Sequence, residues 1–202
     1  MVRATLFNQV PNRQVCFMNE RYWSLFGVAG PLVAYVFIGV SIASAPWFSW
    51  WNNALSDLGY ALRSESAPYF NFGLLLTGLL IVVYTVTVFW KYAKYTSLFL
   101  FATAFALQLV AVFDEVYGQL HGTVSVIFFV FLIMSCLVYA VEKRSILAAL
   151  SFIIGLSSWI LYWGKIYQAG VAVPEIISAT AAMSWVILSA VKIILKPSPK
   201  TR

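Results

Sequence analysis

The chain carries a single histidine, His121, and seven carboxylates in 202 residues. Five of those seven acids, Asp57, Glu65, Asp114, Glu115 and Glu175, fall with the histidine in or beside three connections between apolar runs. The stretch "FDEVYGQLH" places an acidic pair one short turn before the imidazole. Such a grouping can bind a divalent cation, move a proton, or hold a cationic headgroup. With one histidine, any metal site must lean on carboxylates, which suits harder cations too. Asp57, Asp114 and His121 are the candidate ligands, and a divalent metal is the candidate cofactor. For acid–base work the candidates are Asp57, Asp114, Glu115 and His121, with the histidine as proton shuttle. Asn53, Ser56, Trp50, Trp51 and Lys165 are the residues placed to contact a substrate. Ser56 has nucleophile chemistry, but the sequence sets no base beside it.

Each of these has a structural competitor. Glu175 follows Pro174 at the start of an apolar run, where a carboxylate complements the positive end of a helix; capping is the stronger reading there. Glu65, near Arg63, reads as solvated. Asp57, between Ser56 and Leu58 and ahead of Gly59, suits turn chemistry. Lys165 could neutralise the acids. None of the motifs HExxH, GxSxG or CxxC, and no glycine-rich phosphate loop, is present.

The elements that must position these residues are membrane helices. The chain is 62% hydrophobic and 10% charged, with a mean hydropathy of +0.86, whereas soluble domains are about 25% charged. Six apolar runs approach or reach the roughly 20 residues needed to cross a bilayer: 23–44, 69–90, 97–113, 123–140, 146–163 and 174–194. The expected class is therefore an all-α integral membrane bundle of six spans. A segment 1–22 precedes it and a basic tail, 196–202, follows the bundle of residues 23–195. All but Arg63 and Lys165 of the thirteen Lys and Arg residues lie on the side of both termini. The excess of Lys and Arg in cytoplasmic loops puts those termini in the cytoplasm of a plasma-membrane protein. The net charge of +6 then faces anionic lipid, and its scatter over short segments argues against nucleic acid. No apolar leader opens the chain; Met18 is an alternative start. Cys16 and Cys136 read as structural thiols in a reducing compartment.

One connection, 45–68, is too long to be featureless in a compact bundle. Trp47, Trp50, Trp51, Ala54, Leu55 and Leu58 recur at three- and four-residue spacing. That spacing predicts a short amphipathic helix in the outer interface, with Ser49, Asn52, Asn53 and Ser56 opposite and Asp57 at the edge. Pro31 predicts a kink in the first span.

"NALSDLG", then "APYFNFGLLLTG", resembles the family of unknown function 998, small six-helix membrane proteins of archaea and bacteria. "FDEVYGQLHGTVSVIFF" carries the second signature, an acid and then a histidine opening a helix. The resemblance maps the family's Ser-Asp onto Ser56 and Asp57, its acid onto Asp114 or Glu115, and its histidine onto His121. The same arrangement is similar to that of the DRAM proteins and of proteins linked to GPI-anchor lipid remodelling. The resemblance supports the fold and the location of the site and names no reaction; the acids and the lone histidine sharing one face are what point to membrane lipid as the partner. If the chain is an enzyme, it is then a lipid-directed hydrolase or transferase, with a metal-dependent route among the options. Two other readings stand beside it. One is a structural or assembly protein whose polar cluster is a salt-bridged lock. The other, a small-solute transporter, is disfavoured by span centres without charge.

Overall fold

The computed structural model describes residues 13–196, with side chains from residue 20 onward. The alternative starts and Cys16 fall outside the described side chains, as do most of the segment 1–22 and nearly all of the basic tail.

Among the described residues, six helices are long and apolar enough to span a membrane. They are α1 (Arg13–Ala43), α2 (Ala67–Tyr92), α3 (Lys94–Val112), α4 (Gln119–Lys143), α5 (Ile146–Trp163) and α6 (Ala172–Ile194). No strand occurs among the described residues. The all-α class expected from the apolar runs is the one found. α1 runs unbroken through Pro31. α2 widens into a π turn at Thr85–Phe89. There the Thr85 and Thr87 hydroxyls donate to the carbonyls of Ile81 and Val83, four residues back, and compete with the regular ladder.

Lipid offers helices little hydrophobic reason to associate, so close backbone approach through small residues does the work. A Cβ added at Gly78 of α2 would lie 2.8 Å from the Ala104 carbonyl oxygen of α3 and 2.5 Å from Gln108 Cγ. Gly27 of α1 lies against Tyr84 and Ala190, and Gly155 of α5 faces Ser178 of α6. An aromatic core fills the half of the bundle near the termini. Trp185, 1% exposed, stacks on Tyr139 at 4.4 Å and donates its indole N–H to Cys136 Sγ at 3.2 Å.

The connections at the terminal end are brief: Ala93 between α2 and α3, and Arg144 and Ser145 between α4 and α5. The long connection at the opposite end corrects the expected amphipathic helix. Turns occupy 46–47 and 50–52, and only Leu55–Gly59 is helical, as a 3-10 turn. The reason lies in the side chains. Asn53 Oδ1 accepts the Ser49 amide at 3.0 Å, and Ser49 Oγ accepts the Trp51 amide at 3.3 Å. These short polar groups claim amides that a continuous helix needs. Leu55 and Leu58 turn inward into the core, and Leu58 is wholly buried. Trp47, Trp50 and Trp51 stay exposed at 46, 37 and 69%.

Candidate functional site

The 3-10 turn Leu55–Gly59 acts as a plug held from three sides. Asp57 fixes its own turn: Oδ2 accepts from Asn53 Nδ2 at 2.7 Å and from the Ala54 amide at 3.0 Å. Glu175, buried in the first turn of α6, reaches across and accepts the Leu55 amide at 2.7 Å. Ser56 Oγ donates to Glu115 Oε1 at 2.8 Å, tying the plug to the turn between α3 and α4. Asp114 accepts the Val116 amide at 2.9 Å and the Ala61 amide at 3.2 Å. Finally the Gly170 and Ala172 amides donate to the carbonyls of Trp50 and Asn53. Gly170 is obligatory here, because a Cβ would collide with the Asn53 backbone.

The carboxylates of this cluster are therefore spent on backbone amides, the Asn53 side-chain amide and a hydroxyl. Asp57, Asp114, Glu115 and Glu175 form no ion pair among the described residues, so the expected salt-bridged lock is a hydrogen-bonded one instead. Burial pushes the Glu115 carboxyl up to about 7; the Ser56 hydroxyl opposes that rise and the nearby charge of Asp57 adds to it.

His121 lies in the first turn of α4 and is 8% exposed. Its Nδ1 is 2.7 Å from the Phe113 carbonyl oxygen. A carbonyl can only accept, so Nδ1 carries the hydrogen, and in the neutral imidazole Nε2 is the acceptor. Ser125 Oγ sits 3.3 Å from that Nε2.

Beneath the plug is an open-sided cavity of about 410 Å³, bounded by α4, α5 and the start of α6, where Val126 and Val130 are 59 and 52% exposed. Ser56, His121, Ser125 and Glu175 bring polar groups to it. Val126, Phe129, Val130, Ile133, Leu156 and Trp159 line the rest. From His121 to Ile133 the α4 wall descends about 18 Å, at about 1.5 Å per residue. A smaller void of about 70 Å³ adjoins it and shares Ser56, Ser125, Phe129 and Glu175. Trp159 packs edge-on against Phe129 at 4.8 Å. Its buried indole nitrogen has no acceptor among the described residues.

Of the residues singled out from sequence, Ser56 and His121 border this cavity. Glu115 touches it through Ser56, and Asn53 and Asp57 shape the plug. Trp50, Trp51 and Lys165 are exposed and do not line it. No group of three His, Cys, Asp or Glu side chains is close enough to hold a metal ion among the described residues; Asp57, Asp114 and His121 each point to separate partners. Sequence reasoning missed Ser125, Trp159 and the reach of Glu175. A serine four residues after the only histidine, on one helical face, was the available signal for Ser125.

Six spanning helices with a polar plug over an apolar cavity define a multi-pass membrane protein whose features concentrate at one end. Residues 28–192 match the model of a family described as a protein of unknown function, DUF998, and the chain belongs to that family. No curated protein and no solved structure matches it. The wider likeness to the DRAM and GPI-anchor-remodelling proteins rests on the short motifs alone.

Proposed function

We propose that the protein binds a membrane lipid in the cavity between α4, α5 and α6, with the lipid's polar part at the Ser56, His121 and Glu175 end. One observation carries this reading: the cavity of about 410 Å³ is apolar along its length, and its hydroxyl, imidazole and carboxyl groups gather toward the plug. Ligand pockets have this composition, apolar walls with a few convergent polar groups, and volumes of about 300–1,000 Å³. The unpartnered Trp159 N–H adds a donor for a ligand oxygen. Asp57 and Asp114 act here as positioning residues. With the termini cytoplasmic, as the basic residues demand, the polar end lies at the outer leaflet.

The test is lipid retention. Protein purified in mild detergent should carry bound lipid by native mass spectrometry, and Val126→Trp with Val130→Trp should expel it at an unchanged melting temperature. Lipid retained at wild-type stoichiometry in that double variant overturns the reading.

A second reading, an assembly protein, is favoured by the way Asp114, Glu115 and Glu175 each join one segment to another. It expects the filled cavity to be harmless to lipid retention, and expects Asp114→Ala to lower the melting temperature and release a protein partner.

A further inference from the structure

We propose that Ser125 and His121 are a nucleophile and its general base, and that they cleave a carboxylic ester of the lipid held in the cavity. The inference rests on the lipid reading above and adds a reaction to it.

Three observations meet. First, a serine in a helix ordinarily turns its hydroxyl back onto a carbonyl of its own helix. Ser24, Ser41, Ser97, Ser151 and Ser178 do so here. Ser125 instead directs its hydroxyl at His121 Nε2, 3.3 Å away. Second, the imidazole is oriented by a third group: the Phe113 carbonyl holds Nδ1–H at 2.7 Å, which leaves Nε2 as the acceptor the chemistry needs. A nucleophile within reach of a base, and a base oriented by another acceptor, is the arrangement that activates serine. The contact is longer than an ideal one, as such contacts often are before substrate binds. Third, Trp159, whose buried N–H has no acceptor among the described residues, is one of the side chains that line the same cavity as Ser125 and His121. An N–H fixed in an apolar site can stabilise a developing oxyanion. Ser125 lies one helical turn deeper than His121, and the ester of a lipid likewise lies just below its headgroup.

The steps balance without any further reagent but water. Ser125 Oγ attacks the ester carbonyl carbon while its proton passes to His121 Nε2. The carbonyl oxygen becomes an oxyanion and accepts from the Trp159 N–H. As the carbonyl re-forms, the carbon–alkoxide bond breaks and the alcohol leaves with the proton from Nε2. Water then attacks the acyl carbon and gives a proton to Nε2; Ser125 departs with that proton, and a fatty acid is released. An alcohol in place of water completes a transfer instead.

The test uses the full chain in nanodiscs, treated with a long-chain alkyl fluorophosphonate and, separately, with a fluorogenic glycerolipid ester. Peptide mapping should place the phosphonyl adduct on Ser125. Ester release should be abolished in Ser125→Ala and in Ser125→Cys, the second chosen to preserve packing. His121→Ala should lower both adduct formation and release by about 100-fold or more. Bound lipid, read by native mass spectrometry on the same samples, should persist in the Ser125 variants. An adduct on another serine, or absence of adduct and release from wild-type protein that still carries lipid, overturns the ester chemistry and leaves lipid binding standing. Absence of lipid from the wild type removes the binding reading, whatever the adduct shows.

Discussion

Glu115 stands outside the spanning segments, half-buried, with its hydroxyl partner Ser56 on one side and the charge of Asp57 on the other. Its carboxyl, near 4.5 when unfolded, is held up at about 7 in the folded protein. The folded state therefore binds more protons between those values, and stability falls as pH rises through the window of about 4.5 to 7. The melting temperature of the wild type in detergent should decline across that window, and Glu115→Gln should flatten the decline. An unchanged slope would contradict the assignment. Glu175 supports a second expectation. Glu175→Gln keeps an acceptor for the buried Leu55 amide, whereas Glu175→Ala strands that amide at a cost of about 1–3 kcal/mol. Chemical unfolding should rank Ala below Gln. From sequence, Glu175 looked like a cap for its own helix. Chain position alone could not disclose an amide donor 120 residues earlier.

At the scale of elements, the apolar runs suffice for the six helices, because a bilayer lets the backbone satisfy its amides only in helices or closed barrels, and barrel strands of about ten residues are too short for these runs. The segment around Trp47 was misjudged for the opposite reason. Outside the hydrocarbon, periodicity competes with local polar side chains, and Ser49 and Asn53 break the helix that the tryptophans suggest. Periodicity was equally blind to Trp159. It could not say whether an aromatic on α5 faces lipid, a neighbouring helix or a void. Helix pairing gives a further prediction. Gly78→Val must push α2 from the Ala104 carbonyl of α3 and should cost about 1–3 kcal/mol of overpacking. Gly39→Val, with open space around it, is the control that should cost far less in the same melt.

For the whole molecule, the two ends differ in kind. The end near the termini holds Lys91 paired with Glu20 at 3.1 Å, and Lys143 over the Tyr92 ring. The other end holds Asp57, Asp114, Glu115 and Glu175, the plug and the cavity. Charge counting made that polarity legible early; the convergence of the segments around Asn53, Asp114 and Gly170 was not, since no local signal joins them. In a cysteine-free background, Asn52→Cys should react with an impermeant maleimide added outside intact cells, and Arg144→Cys only after lysis. The reverse pattern would invert the topology.

The ties of the plug also impose an order on biogenesis. The segment that follows α1 leaves the ribosome early, yet the amides of Gly170 and Ala172 and the carboxylate of Glu175 that secure it are translated last. Until α5 and α6 insert, the early loop is held by its own turn and by the segment around Asp114 and Glu115, without the ties to Gly170, Ala172 and Glu175. Nascent chains halted before α6 should accordingly be nicked by protease within 46–59 more readily than chains in which α6 has inserted.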